Sequence, residues 1–146
     1  MQELLVDYTR LFLGSPSPLA APYGSMWLSG EKALMQESTI ALEGLYAEAG
    51  FETDEELGDL PDHVAVELEF LYLLTFKQHE ARRAGEEVAI AAWDQLHDLF
   101  LSGHLGAWIA PFTQAVKENA GTAFYRELAD LTVGFLRIEM ARLPRD

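Results

Sequence analysis

The chain has 146 residues, 49% of them apolar, and sets 10 basic against 24 acidic residues for a formal net charge of −14. That length suits one domain with a real core, and the charge argues against a nucleic-acid backbone or an anionic membrane surface as the main partner, favouring a basic or neutral one. With no cysteine there is no disulfide, no thiolate metal site and no cysteine nucleophile.

The segment from Met1 to Asp7 has acidic residues where a secretory signal has basic ones. No apolar run approaches the roughly 20 residues of a membrane span. A soluble, cytoplasmic protein is expected, neither secreted nor membrane-embedded. Leu4, Leu5, Tyr8, Leu11 and Phe12 fall at helical spacing, with Asp7 and Arg10 on the other side, so a short amphipathic helix should end at Gly14. Residues 15–25 carry three prolines and read as an irregular surface loop. Its end, Pro22-Tyr23 next to Met26-Trp27, offers an aromatic edge where a ligand could meet it.

Ser29 is placed to cap a helix from about Gly30 to Ala49, with Ala33, Leu34, Ile40, Ala41, Leu45 and Tyr46 as apolar contacts and Gly50 as its stop. The stretch that follows holds Glu52, Asp54, Glu55, Glu56 and Asp59. It is either a solvated connection or an electrostatic lip that attracts a basic peptide.

The stretch from Leu60 to Phe76 is the centre of the chain. Pro61 fixes a backbone angle suited to a helix start, and Asp62 can accept free amide hydrogens there. From Val64 to Phe76 only Glu67, Glu69 and Thr75 are polar, which predicts a helix in the middle of a packed bundle. Glu67 is the odd residue, because burying a carboxylate demands a partner, a wet pocket or a raised pKa. His63, one turn earlier, shares its face. Asp62, His63 and Glu67 therefore form either a helix cap with a satisfied core pair or a polar recognition point in a groove.

This helix turns polar through Lys77 to Arg83, and Gly85 ends it. A further helix from about Glu87 to Ser102 sets Ala89, Trp93, Leu96 and Phe100 on one face, and Gly103 closes it. Pro111 suits a kink or a helix start, with Phe112, Ala115 and Val116 packing after it. Thr122 is placed to cap the last helix, whose Phe124, Tyr125, Leu128, Leu131, Phe135, Leu136 and Ile138 make a broad apolar face. No repeat and no useful strand alternation is present. The expected fold is all-α, a single-domain helical bundle of about six to seven helices over residues 1–146.

Catalytic chemistry finds little support. There is no glycine-rich phosphate loop of standard form. His63, His79, His97 and His104 lack the Glu-x-x-His pairing of a di-iron bundle, and no serine sits in a nucleophile elbow. Neither a metal nor a cofactor is expected, and the chain does not read as an enzyme.

Five stretches resemble the TorD/DmsD/NarJ family of redox-enzyme maturation chaperones. They are Tyr8-Thr9-Arg10-Leu11-Phe12; Ala21-Pro22-Tyr23-Gly24-Ser25; Asp62-His63 followed by Glu67-Leu68; His104-Leu105 with Trp108; and Phe124-Tyr125 with Leu128-Ala129, Leu131-Thr132 and Phe135-Leu136. Gly24 stands where the family motif has an acidic residue. The resemblance implies a cytoplasmic chaperone that binds the leader peptide, or another segment of the apo-form, of a molybdenum-containing oxidoreductase catalytic subunit until its cofactor is inserted. It carries a peptide-binding role onto Tyr8, Leu11, Phe12, Pro22, Tyr23, Asp62 and His63. In it, Asp62 would pair with an arginine or order the loop, His63 would donate or accept, and Glu67 would support His63.

The resemblance also implies further helices ahead of the segment matching Tyr8, whereas the chain starts seven residues upstream. Either the start is truncated or this is a short member, and a homodimer supplying the missing surface is one hypothesis. The competing class is an all-helical interaction or regulatory module with a partner unrelated to export. A nucleotide- or metal-dependent enzyme ranks last.

Overall fold

A computed structural model describes residues 1–14, 16–28, 32–53 and 60–145, and all of their side chains except those of 32–36. Ser29, Gly30, the side chains of Ala33 and Leu34, and Asp54, Glu55, Glu56 and Asp59 of the acidic stretch lie outside the described residues. The α-helices of the described residues are α1 (Gln2–Tyr8), α2 (Ser25–Leu28), α3 (Lys32–Ala49), α4 (Val64–Ala84), α5 (Glu87–Phe100), α6 (Gly106–Asn119) and α7 (Ala123–Ala141). The all-α expectation is borne out: among the described residues the extended backbone amounts to one isolated antiparallel bridge, Tyr23 to His63. No described helix is long and apolar enough to cross a membrane. Backbone contacts divide the chain into two compact units, Tyr23–Ala107 and Met1–Pro22 with Trp108–Asp146.

In the first of these units α4 packs against α5, and α3 against α5. Both predicted glycine stops act through the left-handed conformation that a side chain would disfavour. Gly50 has φ 71° and Gly85 φ 69°. After α3, Phe51 N–H donates to Tyr46 O at 2.8 Å; after α4, Glu86 N–H donates to Ala81 O at 3.1 Å. The α4–α5 turn is tied by Arg82 Nη2, which donates to both Asp94 carboxylate oxygens at 2.8 Å. Edge-to-face rings fill the interior: Tyr46 to Phe70 at 4.6 Å and Phe70 to Phe100 at 4.8 Å.

Four expectations for this unit are corrected. Pro61 and Asp62 lie in a turn that precedes the helix, and α4 opens at Val64 with His63 as its cap. The helix is not buried all round: Phe70, Leu71 and Leu74 face inward, but Tyr72 is 70% exposed and Phe76 is also exposed. On α3, Leu42 and Tyr46 are buried while Ile40 and Ala41 point outward. Gly103 does not close a helix. The chain passes from α5 through a π-helical turn, Leu101–Leu105, directly into α6, with Gly106 in right-handed helical geometry.

In the other unit α1 runs into a π-helical turn, Thr9–Leu13, and Gly14 ends it as predicted. Leu11, Trp108, Ile109, Phe112, Val116, Ala129, Val133 and Leu136 are buried. Asp7 was expected on the outer face, yet it is only 2% exposed, while Leu5 on the expected inner face is exposed. The predicted surface loop is surface only in its first part. Ala20 N–H donates to Leu11 O at 2.8 Å, and Ala20, Ala21 and Pro22 are buried. Pro111 lies inside α6. Thr122 stands at the start of α7 without a side-chain capping bond there, its hydroxyl going to Asp7 instead. Of the expected inward face of α7, Leu136 is buried, whereas Phe124, Leu128, Leu131, Phe135 and Ile138 are exposed.

Candidate functional site

The start of α4 and the loop leading into α2 form one constellation. His63 has extended backbone, which lets its side chain turn back onto the helix. Its Nδ1 accepts the Ala65 amide at 3.0 Å, satisfying one of the donors that a helix start leaves open. Because an amide can only donate, that Nδ1 carries a lone pair, and the neutral ring bears its proton on Nε2. The half-buried ring thus keeps one N–H donor beyond the cap. Tyr23 meets it edge-on, with ring centroids 5.2 Å apart and planes at 81°.

Asp62 is buried and works on the loop. Its carboxylate accepts the Ser25 amide at 2.8 Å and its carbonyl accepts the Gly24 amide at 2.9 Å. A charge-assisted bond of this kind contributes about 1.5–3 kcal/mol. Two bonds from one residue fix the turn on which Tyr23 stands. Of the two roles that the resemblance offered Asp62, this geometry matches the ordering of the loop.

Below the turn lies Tyr46, which sequence reasoning treated as plain apolar packing. Its hydroxyl donates to Pro61 O at 2.7 Å. Burial first, then the negative charges of Glu67 and Asp62, push this hydroxyl far above its ordinary range, so it stays protonated as a donor. Glu67 is 1% exposed. The oddity that marked Glu67 in the sequence is therefore real: a carboxylate sits in the interior at the root of α4, and its field reaches Tyr46.

The remaining candidates belong to the other unit. Tyr8 and Phe12 contact edge-to-face at 5.3 Å, and Phe12 meets Tyr125 at 5.7 Å and Phe112 at 6.2 Å. Tyr8 is exposed and Phe12 half-buried, so these rings with Tyr125 make an aromatic surface patch. Leu11 is fully buried, and Pro22 is buried as well. Tyr125 was read only as part of a core face. Its neighbour Phe124, which meets it edge-to-face at 5.0 Å, is exposed, so the two adjacent aromatic residues carry the patch onto the outer side of α7.

Set beside known proteins, the chain matches the family described as nitrate reductase delta subunit over residues 1–114. It is 30% identical over 141 residues to the chaperone protein TorD of Vibrio parahaemolyticus, covering 97% of this chain and 64% of that one. It is 28% identical over 136 residues to the Tat proofreading chaperone DmsD of Salmonella typhimurium, covering 89% and 57%. To the perchlorate reductase assembly chaperone protein of Dechloromonas aromatica it is 31% identical over 137 residues, covering 89% and 58%. The chain belongs to the nitrate reductase delta subunit family, the group of TorD, DmsD and NarJ to which its motifs pointed. It spans less than two thirds of the length of these relatives.

Proposed function

We propose that the 146 residues act as one cytoplasmic, all-helical chaperone domain for the assembly of a molybdenum-containing oxidoreductase. The domain holds the leader peptide, or another segment of the apo-form, of the catalytic subunit until cofactor insertion is complete. The observation that carries this reading is the Tyr23–His63 pair on a turn fixed by Asp62. An aromatic edge beside a single ring N–H donor fits the apolar, helix-forming part of a leader, with the donor meeting a backbone carbonyl exposed by it. Tyr8 and Phe12 supply further apolar contact, while Leu11 and Pro22 set the positions of their neighbours. Glu67 acts from below, on Tyr46 and the turn.

Calorimetric titration with a twin-arginine leader peptide, its arginine-free version and one with a disrupted apolar stretch tests the proposal. Binding that needs the apolar stretch is the expected result. No binding of any leader, together with no binding of the apo-form catalytic subunit, overturns it in favour of an interaction module unrelated to export.

A second copy of the chain is a further proposed partner, favoured by one observation. Phe124, Leu128, Leu131, Phe135 and Ile138 line one exposed face of α7, and large apolar faces of this kind mark interaction surfaces.

A further inference from the structure

The turn that leads into α4 is closed by the His63 amide, which donates to Leu60 O at 3.0 Å, so Pro61 and Asp62 are its two central residues. Turns of this kind with a proline second occur in two common forms that differ by a flip of the central peptide, and the flipped form needs a positive φ at the third residue. No described residue except glycine has a positive φ, which puts Asp62 in the unflipped form. The carbonyl of that central peptide is Pro61 O, the acceptor of the Tyr46 hydroxyl at 2.7 Å. We propose that Tyr46 is a positioning residue of the peptide site: its hydroxyl holds the Pro61–Asp62 peptide in the orientation from which Asp62 orders the Tyr23 turn. The inference rests on the peptide-binding reading above.

Tyr46 is placed to be the fixed partner of this bond. It is 3% exposed on α3, with its ring edge-on to Phe51 at 5.0 Å and to Phe70 at 4.6 Å. A ring so enclosed cannot follow a turn that moves. Phenylalanine would fill the same space without burying a hydroxyl, so what the hydroxyl adds is its bond to Pro61 O. Burial and the nearby carboxylates keep it protonated, so it donates across the neutral range.

The site hangs on the next residue of the same turn. Asp62 accepts the Gly24 amide on its carbonyl at 2.9 Å and the Ser25 amide on its carboxylate at 2.8 Å. A flip of the central peptide would rotate both acceptors away from those amides. Tyr23, which precedes them, would then lose the support for its edge-on contact with His63. Tyr46 thus acts on the site through the turn, one step behind Asp62.

The test compares Tyr46→Phe with Ala81→Gly in the full chain. The second change costs helix stability near the far end of α4, about 25 Å from its start. Hydrogen exchange at the Gly24 and Ser25 amides should be about tenfold faster in Tyr46→Phe than in Ala81→Gly, and affinity for a twin-arginine leader peptide should fall about tenfold, the scale of one hydrogen bond. The Pro61 carbonyl carbon should shift in the nuclear magnetic resonance spectrum of Tyr46→Phe alone. Ala81→Gly should keep leader affinity within about threefold of wild type. Unchanged affinity in Tyr46→Phe, or an equal loss in Ala81→Gly, overturns the proposal and keeps the chaperone reading. In the wild type, leader binding should slow exchange of the Tyr46 hydroxyl proton together with the Gly24 and Ser25 amides. Slowing of the amides alone also overturns the proposal, and that measurement needs no variant to fold. If neither a leader nor the apo-form subunit binds the wild type, the peptide reading falls, and faster exchange at Gly24 and Ser25 in Tyr46→Phe leaves Tyr46 as the residue that fixes the turn.

Discussion

The carboxylate of Asp7 accepts the Thr122 hydroxyl at 2.6 Å and the Thr122 amide at 3.0 Å, from a residue on the first helix to the one that starts the last. The Gly121 amide reaches the other oxygen at 2.9 Å. Asp7 thus does for α7 what a local capping side chain usually does. Replacing it by Ala leaves two amides and a hydroxyl without their acceptor, a loss expected at about 2–3 kcal/mol in denaturant unfolding. Asp7→Asn, which keeps one acceptor oxygen, should lose less.

The same carboxyl gives a signed pH dependence. Burial raises its pKa, but the bonds from Thr122 and Gly121 and the Arg10 charge outweigh burial and leave it below its ordinary value of 3.8. The folded state therefore binds this proton less readily than the unfolded chain. The contribution of Asp7 is complete above the unfolded value and is lost as pH falls through the folded one. Unfolding curves should show wild type and Asp7→Asn separated at neutral pH and converging in acid. A separation that stays constant into strong acid would assign the loss to shape and not to charge.

How much of this was legible in the sequence follows from the distance between partners. Gly50, Gly85 and the aromatic edge at Tyr23 are local signals, read from neighbours a few residues away. Asp7 was misplaced because its partners lie 114 and 115 residues on, and nothing local distinguishes a carboxylate facing water from one capping a distant helix. The apolar helices failed differently. In α4 and α7 large apolar residues occupy more than one face, so periodicity shows that they are helical without choosing which face is covered; Tyr72 and Leu131 are each 70% exposed. Glu67 stood out because a carboxylate in an apolar run is costly wherever it lies.

His63 combines a helix cap with a ring N–H that has no acceptor among the described residues, and two substitutions separate the two roles. Asn is a strong capping residue, so His63→Asn should keep stability while weakening leader binding about tenfold, the scale of one hydrogen bond of about 1.4 kcal/mol. His63→Ala should show the same binding loss and, in addition, about 1 kcal/mol lower stability from the lost cap. Calorimetry and unfolding on the same samples read both. Unchanged affinity in His63→Asn would make the residue a cap alone.

Asp62 admits a test of loop ordering against direct charge pairing. Its carboxylate already holds the Ser25 amide, and Asn offers an acceptor oxygen in the same place without the charge. If Asp62 orders the loop, Asp62→Asn retains leader affinity within about threefold and Asp62→Ala loses about tenfold, because only Ala abandons the Ser25 amide inside a buried turn. Equal losses in both variants, abolished when the leader lacks its arginines, would instead place an arginine directly on Asp62.

The exposed face of α7 is where the proposed self-association is tested. Phe124, Leu128, Leu131, Phe135 and Ile138 recur at three- and four-residue steps, so one face of the helix carries them all. A stable self-association needs roughly 1,200–2,000 Å² of total buried surface, which five such side chains and their rims from two copies approach. Sedimentation of the wild-type chain should therefore give a mass that rises with concentration, and Leu131→Arg should hold it at the monomer. Since Leu131 is 70% exposed, that change should alter the stability of the isolated chain by no more than about 0.5 kcal/mol. A concentration-independent monomer in the wild type would show that the face serves something other than a second copy. Leader titration of Leu131→Arg would then ask whether the bound client covers it.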